Sequence, residues 1–320
     1  MNKNLALKIY ENFYLIRNLE ERISKEYLNW QMRCPTHLSV GQEMVSACIN
    51  QVFSKSDSAV SSHRAHAHYV GKGGSIKKMI SEIYGKETGC SKGLGGSMHL
   101  IDLKCNFMGS TAIVGNSIPV GVGHAMAHKY KKENRISLIF FGDAAIETGV
   151  FFESINLAIL HKLPCIFICE NNNYSVYSSF KERQNTEISI HKRIAGLGIK
   201  SIKLNTQNWK EVFKILAFAK NYVKKQKKPI FLEFLTYRKY EHVGPYLDNH
   251  LGYRPKKEIL SWQINDPLKK IKNFLLIKKI SNNKISLLEK KILSNIDKAF
   301  DYAKKSKLPK ENNYKKYLFK

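Results

Sequence analysis

Apolar residues recur every three to four positions from Leu5 to Trp30, at Leu5, Ile9, Phe13, Ile16, Leu19 and Ile23. That period lays one face of a long helix against a core. The next patterned stretch, HLSVGQEMVSACINQVF from His37, reads as a loop followed by a second helix. A glycine-rich middle follows: VGKGG at Val70, YGKETGCSKGLGGSMH from Tyr84 and GSTAIVGNSIPVGVGHAMA from Gly109. Glycines this dense between helices predict backbone held close to a ligand.

The strongest pattern comes next. ISLIFFGD (Ile136 to Asp143) is a continuous apolar run that ends in a turn. TGVFFESINLAILHKL is helical, with Phe151, Ile155, Ala158 and Ile159 on one face. PCIFICENNNY (Pro164 to Tyr174) is a second apolar run that closes in polar residues. Strand, helix, strand predicts a parallel pairing. A helix over Trp209 to Lys225 and a strand over Pro229 to Arg238 repeat the theme. After the polar loop KYEHVGPYLDNHLGYRP, the chain from Lys256 is amphipathic, basic and helical. The expected fold class is α/β: a mostly parallel sheet with helices on both faces. Residues 1–267 form the expected domain, and 268–320 a basic helical extension of it.

The 320 residues suffice for one large α/β domain. The first residues carry charges at helical spacing and do not read as a secretory signal. No stretch reaches the roughly 18 apolar residues of a membrane span. A cytoplasmic protein with no membrane partner is expected. Six cysteines form no CxxC pair, and Cys165 and Cys169 share one strand face. They predict buried free thiols. The net charge of +27 is mostly scattered lysine, thickening over Lys269 to Ile280 and Lys304 to Lys320. Arginine-rich or aromatic-interleaved recognition patterns are missing. A lysine-rich surface therefore outweighs the distant alternative, a basic nucleic-acid-binding protein, and no nucleic-acid partner is expected.

Three residues carry the first candidate chemistry: Asp143, Asn172 and Tyr174. They lie at the carboxyl ends of the two predicted neighbouring strands, the edge where open α/β sheets bind ligands. A carboxylate, an amide oxygen and a main-chain carbonyl are hard ligands that suit Mg²⁺ and leave sites for phosphate oxygens. Ala144 and Ala145 follow, so backbone N–H groups can approach an anion at a helix start. The plainer alternative is a helix cap at Asp143 and a turn at the asparagines. The run HRAHAH offers a rival zinc site at His63, His66 and His68, but it lacks the usual aspartate and places Arg64 beside the metal.

GDAAIETG from Gly142 and ENNNY resemble the thiamine-diphosphate fingerprint. LIRNLEERI, HLSVGQE, HRAHAH, GCSKGLGGSMH, AIVGNSIPVGVG, NLAILHKLPCIFICENN and LEFLTYR extend the likeness to about Pro267. Together they resemble the alpha subunit of the decarboxylating component of 2-oxo acid dehydrogenase complexes, pyruvate and acetoin branches best. The resemblance implies a thiamine-diphosphate-binding fold. It implies thiamine diphosphate and Mg²⁺ as cofactors, the metal held by Asp143, Asn172 and the Tyr174 carbonyl. Arg64, with His63 beside it, would contact the diphosphate together with Ala144 and Ala145. Ala112 and Val114 would pack near the cofactor rings. His37 and His242 would act on the substrate. A beta subunit would complete an α₂β₂ heterotetramer and supply the activating carboxylate. A lipoyl acyltransferase would be a further partner, accepting the acyl unit from a small-molecule substrate.

The chain departs from that family at three places. Ala144 stands where the fingerprint has glycine, and His63 where the family usually has tyrosine. The loop Tyr240 to Val243 replaces a His-Gly-His-Ser run, so the regulatory serine is absent. Glu241 there is read as an acid beside the substrate, or as a partner for Lys239 or Arg254. That change motivates an alternative: a carboligase passing an acyl unit to a small acceptor such as a sugar.

Overall fold

The computed structural model describes residues 2–32 and 34–310; the last part of the lysine-rich tail, 311–320, lies outside the described residues. The strands are β1 (Ser58–Ser61), β2 (Phe107–Ser110), β3 (Ser137–Gly142), β4 (Cys165–Asn171), β5 (Tyr174–Ser175), β6 (Ser178–Ser179), β7 (Lys200–Asn205) and β8 (Ile230–Leu235). Six of them form one sheet in the order β2-β1-β3-β4-β8-β7. Every pairing in that sheet is parallel. The two short strands β5 and β6 make a separate antiparallel hairpin.

Alternation along the central strands sends side chains to two cores. Leu138 and Phe140 of β3, Ile166 and Ile168 of β4, and Ile230, Leu232 and Phe234 of β8 join one face. Ile139, Phe141, Cys165, Phe167, Cys169 and Phe231 join the other. Strands buried on both faces need continuous apolar runs, which is the pattern the sequence shows there. Helices Lys3–Tyr27, Glu43–Val52, Trp209–Gln226, Pro267–Ile277 and Asn282–Lys305 cover the first face. Helices Ser117–Tyr130, Gly149–Leu160 and Ile190–Ala195 cover the second. The basic C-terminal helices thus contribute Ile271, Leu275, Ile296 and Phe300 to the larger core. No helix among the described residues is long and apolar enough to cross a membrane.

The expected elements are present with shifted ends. The first helix stops at Tyr27, and Trp30 turns the chain with φ 56°. β4 ends at Asn171 rather than Tyr174, because Asn173 takes φ 67° and folds the chain into the hairpin. β8 ends at Leu235, so Thr236 to Arg238 run past the sheet edge. β1, β2 and β7 carry no long apolar run, and their pattern did not announce them. All six cysteines are free, with Cys34 and Cys90 half-buried rather than buried.

The glycines from Gly85 to Gly96 have a different cause from the expected ligand. They wrap the carboxylate of Glu82, which is fully buried. Its oxygens accept N–H bonds from Ser91, Gly93, Gly95 and Gly96 at 2.7–3.2 Å. A Cβ at Gly89 would lie 2.2 Å from Oε2, so glycine is required for that closeness. A cleft of about 740 Å³ opens beside this loop, but the carboxylate on its wall is already saturated by backbone. Glu82→Ala leaves four half-buried backbone donors without their acceptor and is expected to lower stability by about 2–4 kcal/mol. Urea unfolding checks it; an unchanged midpoint would remove Glu82 as the organiser of the loop.

Candidate active site

Register brings the site together. Gly142 of β3 pairs beside Glu170 of β4, and Asn171 pairs beside Leu235 of β8. Three parallel strands therefore end level, and the residues that follow them face one another at the carboxyl edge. A cavity of about 140 Å³ opens there. Its wall includes Asp143, Ala144, Ala145, Asn172 and Tyr174 from β3 and β4, and His63 and Arg64 from the segment after β1. Val114 and His242 also line it. Ala112 does not, and His37 reaches it only through the two histidine rings it packs on.

Asp143 opens a short 3₁₀ turn, Asp143–Glu147, ahead of the helix Gly149–Leu160. Ala144 is not among the residues with positive φ, so a methyl group replaces the fingerprint glycine without strain. The Asp143 carboxylate is buried, and that burial pushes it up to about 6 against the opposing pull of Arg183. Arg183, from the turn after the hairpin, pairs with both Asp143 and Glu147. Asn172 is held in place twice. Its Oδ1 accepts the Tyr174 N–H at 3.0 Å, and its Nδ2 donates to Gln42 Oε1 at 3.0 Å. Gln42 in turn donates to Glu170 Oε2 at 3.2 Å. Gln42 comes from the loop before helix Glu43–Val52, where Gly41 has φ 96° and a Cβ would lie 1.9 Å from the Tyr237 carbonyl oxygen. Only glycine lets that loop sit against the exit of β8.

The histidines of HRAHAH do not converge. His66 sits between Glu20 at 3.1 Å and Ser97 at 2.7 Å. His68 sits between Ser61 at 2.7 Å and Glu170 at 3.1 Å. His66 is buried in the core and His68 backs the cavity wall, and neither joins His63 in a cluster, which removes the rival zinc reading of that run. His63 instead meets His37 and His242, with ring centres 4.5 and 5.3 Å away. Burial, then Arg64, pushes His37 down to about 2, His63 to about 3 and His242 to about 4. All three are neutral imidazoles at neutral pH. Burial and the nearby Arg238 pull Arg64 down to about 9, still cationic at pH 7. Its guanidinium donates to the carbonyls of Leu38 and His242.

The loop after β8 is fixed by a buried charge network. Asp248 pairs with Arg254 at 3.0 Å and Arg238 at 3.5 Å. Arg238 also donates to the carbonyls of Tyr240 and Val176. Glu241 pairs with neither Lys239 nor Arg254. Its Oε1 accepts the Tyr246 N–H at 2.9 Å, while Lys239 pairs with Glu21. The acid is spent inside its own loop.

Reading the sequence missed Gln42, Glu170, Arg183 and Arg238. Gln42 and Glu170 adjoin motif residues and were within reach of a closer reading. Arg183 gave no local signal, because Asp143 and Glu147 are remote in sequence, and Arg238 meets Asp248 within an irregular loop that has no helical or strand period.

A level parallel sheet edge with an acid, an amide and backbone N–H groups at a turn is the arrangement that suits a metal-bound phosphate group. The family model described as dehydrogenase E1 component matches residues 11–312, and the chain belongs to that family. It is 34% identical to the pyruvate dehydrogenase E1 component subunit alpha of Rickettsia bellii, covering 97% of this chain and 94% of that one. The same-named protein of Zymomonas mobilis is 33% identical, over 95% of this chain and 85% of its own. The chloroplastic subunit alpha-3 of Arabidopsis thaliana is 33% identical, over 97% and 73%.

Proposed function

We propose that this chain is the alpha subunit of an enzyme that oxidatively decarboxylates a 2-oxo acid, pyruvate first, or cleaves acetoin. It passes the acyl unit to a lipoyl carrier, in the cytoplasm, as half of an α₂β₂ assembly. One observation carries the reading: Asp143, Asn172 and Tyr174 meet at one cavity with Arg64 and neutral histidines. The donor set fits the expected group. Asp143 and the oriented Asn172 amide are hard oxygens, and the buried carboxylate is held by a cation in Arg183.

Thiamine diphosphate supplies the electron sink for cleaving a bond next to a carbonyl. Asp143, Asn172 and the Tyr174 carbonyl would hold Mg²⁺, and the N–H groups of Ala144 and Ala145 would face the diphosphate. Arg64 adds a fixed positive charge at the same wall. His242 lines the cavity and, being neutral, would donate or accept a hydrogen bond at the substrate, while His37 packs behind it and would act there through the His63 and His242 rings. Val114 presents a half-exposed apolar side chain to the ring end, and we keep Ala112 there as its neighbour in the same turn.

The cavity of about 140 Å³ is well below the about 300 Å³ at which small-molecule sites begin. It takes a metal and a diphosphate, and the rest of the cofactor needs a second surface. That supports a beta subunit, which would also bring the activating carboxylate that the resemblance implies; Glu170 at this wall accepts from Gln42 through Oε2 and leaves Oε1 without a partner. We take residues 1–267 and 268–320 as one domain and its extension, because the described residues of both, up to Ala303, feed one core. The carboligase alternative rested on the altered loop Tyr240 to Val243; Glu241 of that loop is turned onto the Tyr246 N–H, and the relatives named above are pyruvate dehydrogenase subunits, so we keep the dehydrogenase reading first. The test is co-expression with a beta subunit of the same enzyme type and assay on pyruvate and acetoin with a lipoyl domain. Turnover on neither, with cofactor bound, would overturn the substrate and leave the cofactor.

A further inference from the structure

Three histidines from distant parts of the chain share one small space. His37 lies in the loop before the second helix, His63 after β1 and His242 after β8. Their ring centres are 4.5, 5.1 and 5.3 Å apart. One nitrogen from each lies within 4.8 Å of the others. His37 Nδ1 is buried with no hydrogen-bond partner, on a residue 6% exposed. A buried polar atom without a partner calls for an explanation.

Metal geometry supplies one. A tetrahedral ion bound by imidazole nitrogens at about 2.0–2.1 Å sets those nitrogens about 3.4 Å apart and the ring centres about 5 Å apart. The ring centres already stand at that spacing, so rotation about the Cβ–ring bonds is the main adjustment. Three histidines with an open fourth position is the ligand count of catalytic zinc sites. We infer that His37, His63 and His242 form a binding site for Zn²⁺ or a similar borderline divalent cation, with ligands distinct from the hard-oxygen set at Asp143 on the same cavity wall.

The surrounding charges determine the fourth ligand. Arg64 and Arg238 are the arginines whose charge acts on the cluster, from the segment after β1 and from the exit of β8. Both spend donors on backbone carbonyls, and Arg238 also faces Asp248. Two guanidinium groups oppose a bare dication and favour one that carries an anion, such as hydroxide, chloride or a carboxylate. Burial keeps the imidazoles neutral, so their lone pairs are free for a metal. If the proposed function holds, an ion here removes His37 and His242 from the substrate, and Zn²⁺ inhibits.

The binding test does not depend on that function. EDTA-treated full-length chain is titrated with Co²⁺, read by visible absorption, and then with Zn²⁺ by calorimetry. One equivalent with a tetrahedral Co²⁺ spectrum, displaced by Zn²⁺, is expected. His63→Phe should weaken Zn²⁺ binding at least 100-fold, beyond the about 10–100-fold that outer-shell changes cost. His242→Phe gives a second reading should the first variant fail to fold by circular dichroism. Asp143→Asn should leave the Co²⁺ spectrum intact. No tetrahedral spectrum, binding untouched by both histidine variants, or loss with Asp143→Asn would each overturn the site.

Discussion

Asp143→Asn is expected to weaken Mg²⁺–thiamine diphosphate binding by a factor of about 30–1000, the roughly 2–4 kcal/mol lost when a buried charge pairing is broken. The same change should stabilise the protein free of metal. Burial raises the Asp143 carboxyl from 3.8 to about 6. The unfolded chain therefore binds fewer protons than the folded one between those values, and stability falls as pH rises across them. A raised carboxyl contributes its full stability below the unfolded value and has lost it above about pH 6. Asparagine carries no such penalty. Above pH 6 the variant should gain on the order of 3 kcal/mol over the parent, and below about pH 4 the gain should vanish. Calorimetric titration of cofactor and urea unfolding in EDTA at pH 4.5, 6 and 8 measure both. Full cofactor affinity in the variant would remove Asp143 from the metal site, and a gain that does not depend on pH would remove the burial argument.

Asp248→Ala has the largest expected effect on stability. Arg238, Asp248 and Arg254 are each no more than 4% exposed. Removing the carboxylate leaves two guanidinium groups in the interior without their counter-charge, a loss of about 3–5 kcal/mol. For a chain of this size the midpoint of thermal unfolding should drop by on the order of 10 °C. The damage should be local first, because Arg238 and Arg254 tie the exit of β8 to the loop carrying His242. Asp248→Asn, which keeps the shape and some hydrogen bonds, should lose less. A thermal midpoint within a degree or two of the parent would show that water already compensates the two arginines.

Both predictions depend on contacts that differ in how far they could be read from the chain. Asp143, Asn172 and Tyr174 were legible because β3 and β4 are continuous apolar runs whose ends are marked by polar residues. A βαβ unit places such strands side by side and parallel, so two ends read from the sequence become one site. The buried faces of the first helix were legible for a similar reason: the 3.6-residue period is local. Glycines were legible as positions of close approach, but not what approached them. Glu82 rather than a ligand fills that loop, and the carboxylate gives no pattern of its own.

The amino-acid order alone determined the class of fold, the central strands and the pair of loops at their carboxyl ends, because each follows from periodicity over a few residues. Only the tertiary structure decided that His63 turns from His66 and His68 toward His37 and His242. It alone set Arg183 against Asp143, and turned Glu241 into its own loop. Those choices compare energies between segments that lie well outside one another's local period, or between rotamers of one side chain. No local period encodes such a comparison. It is settled by which arrangement leaves the fewest buried charges and polar atoms without partners.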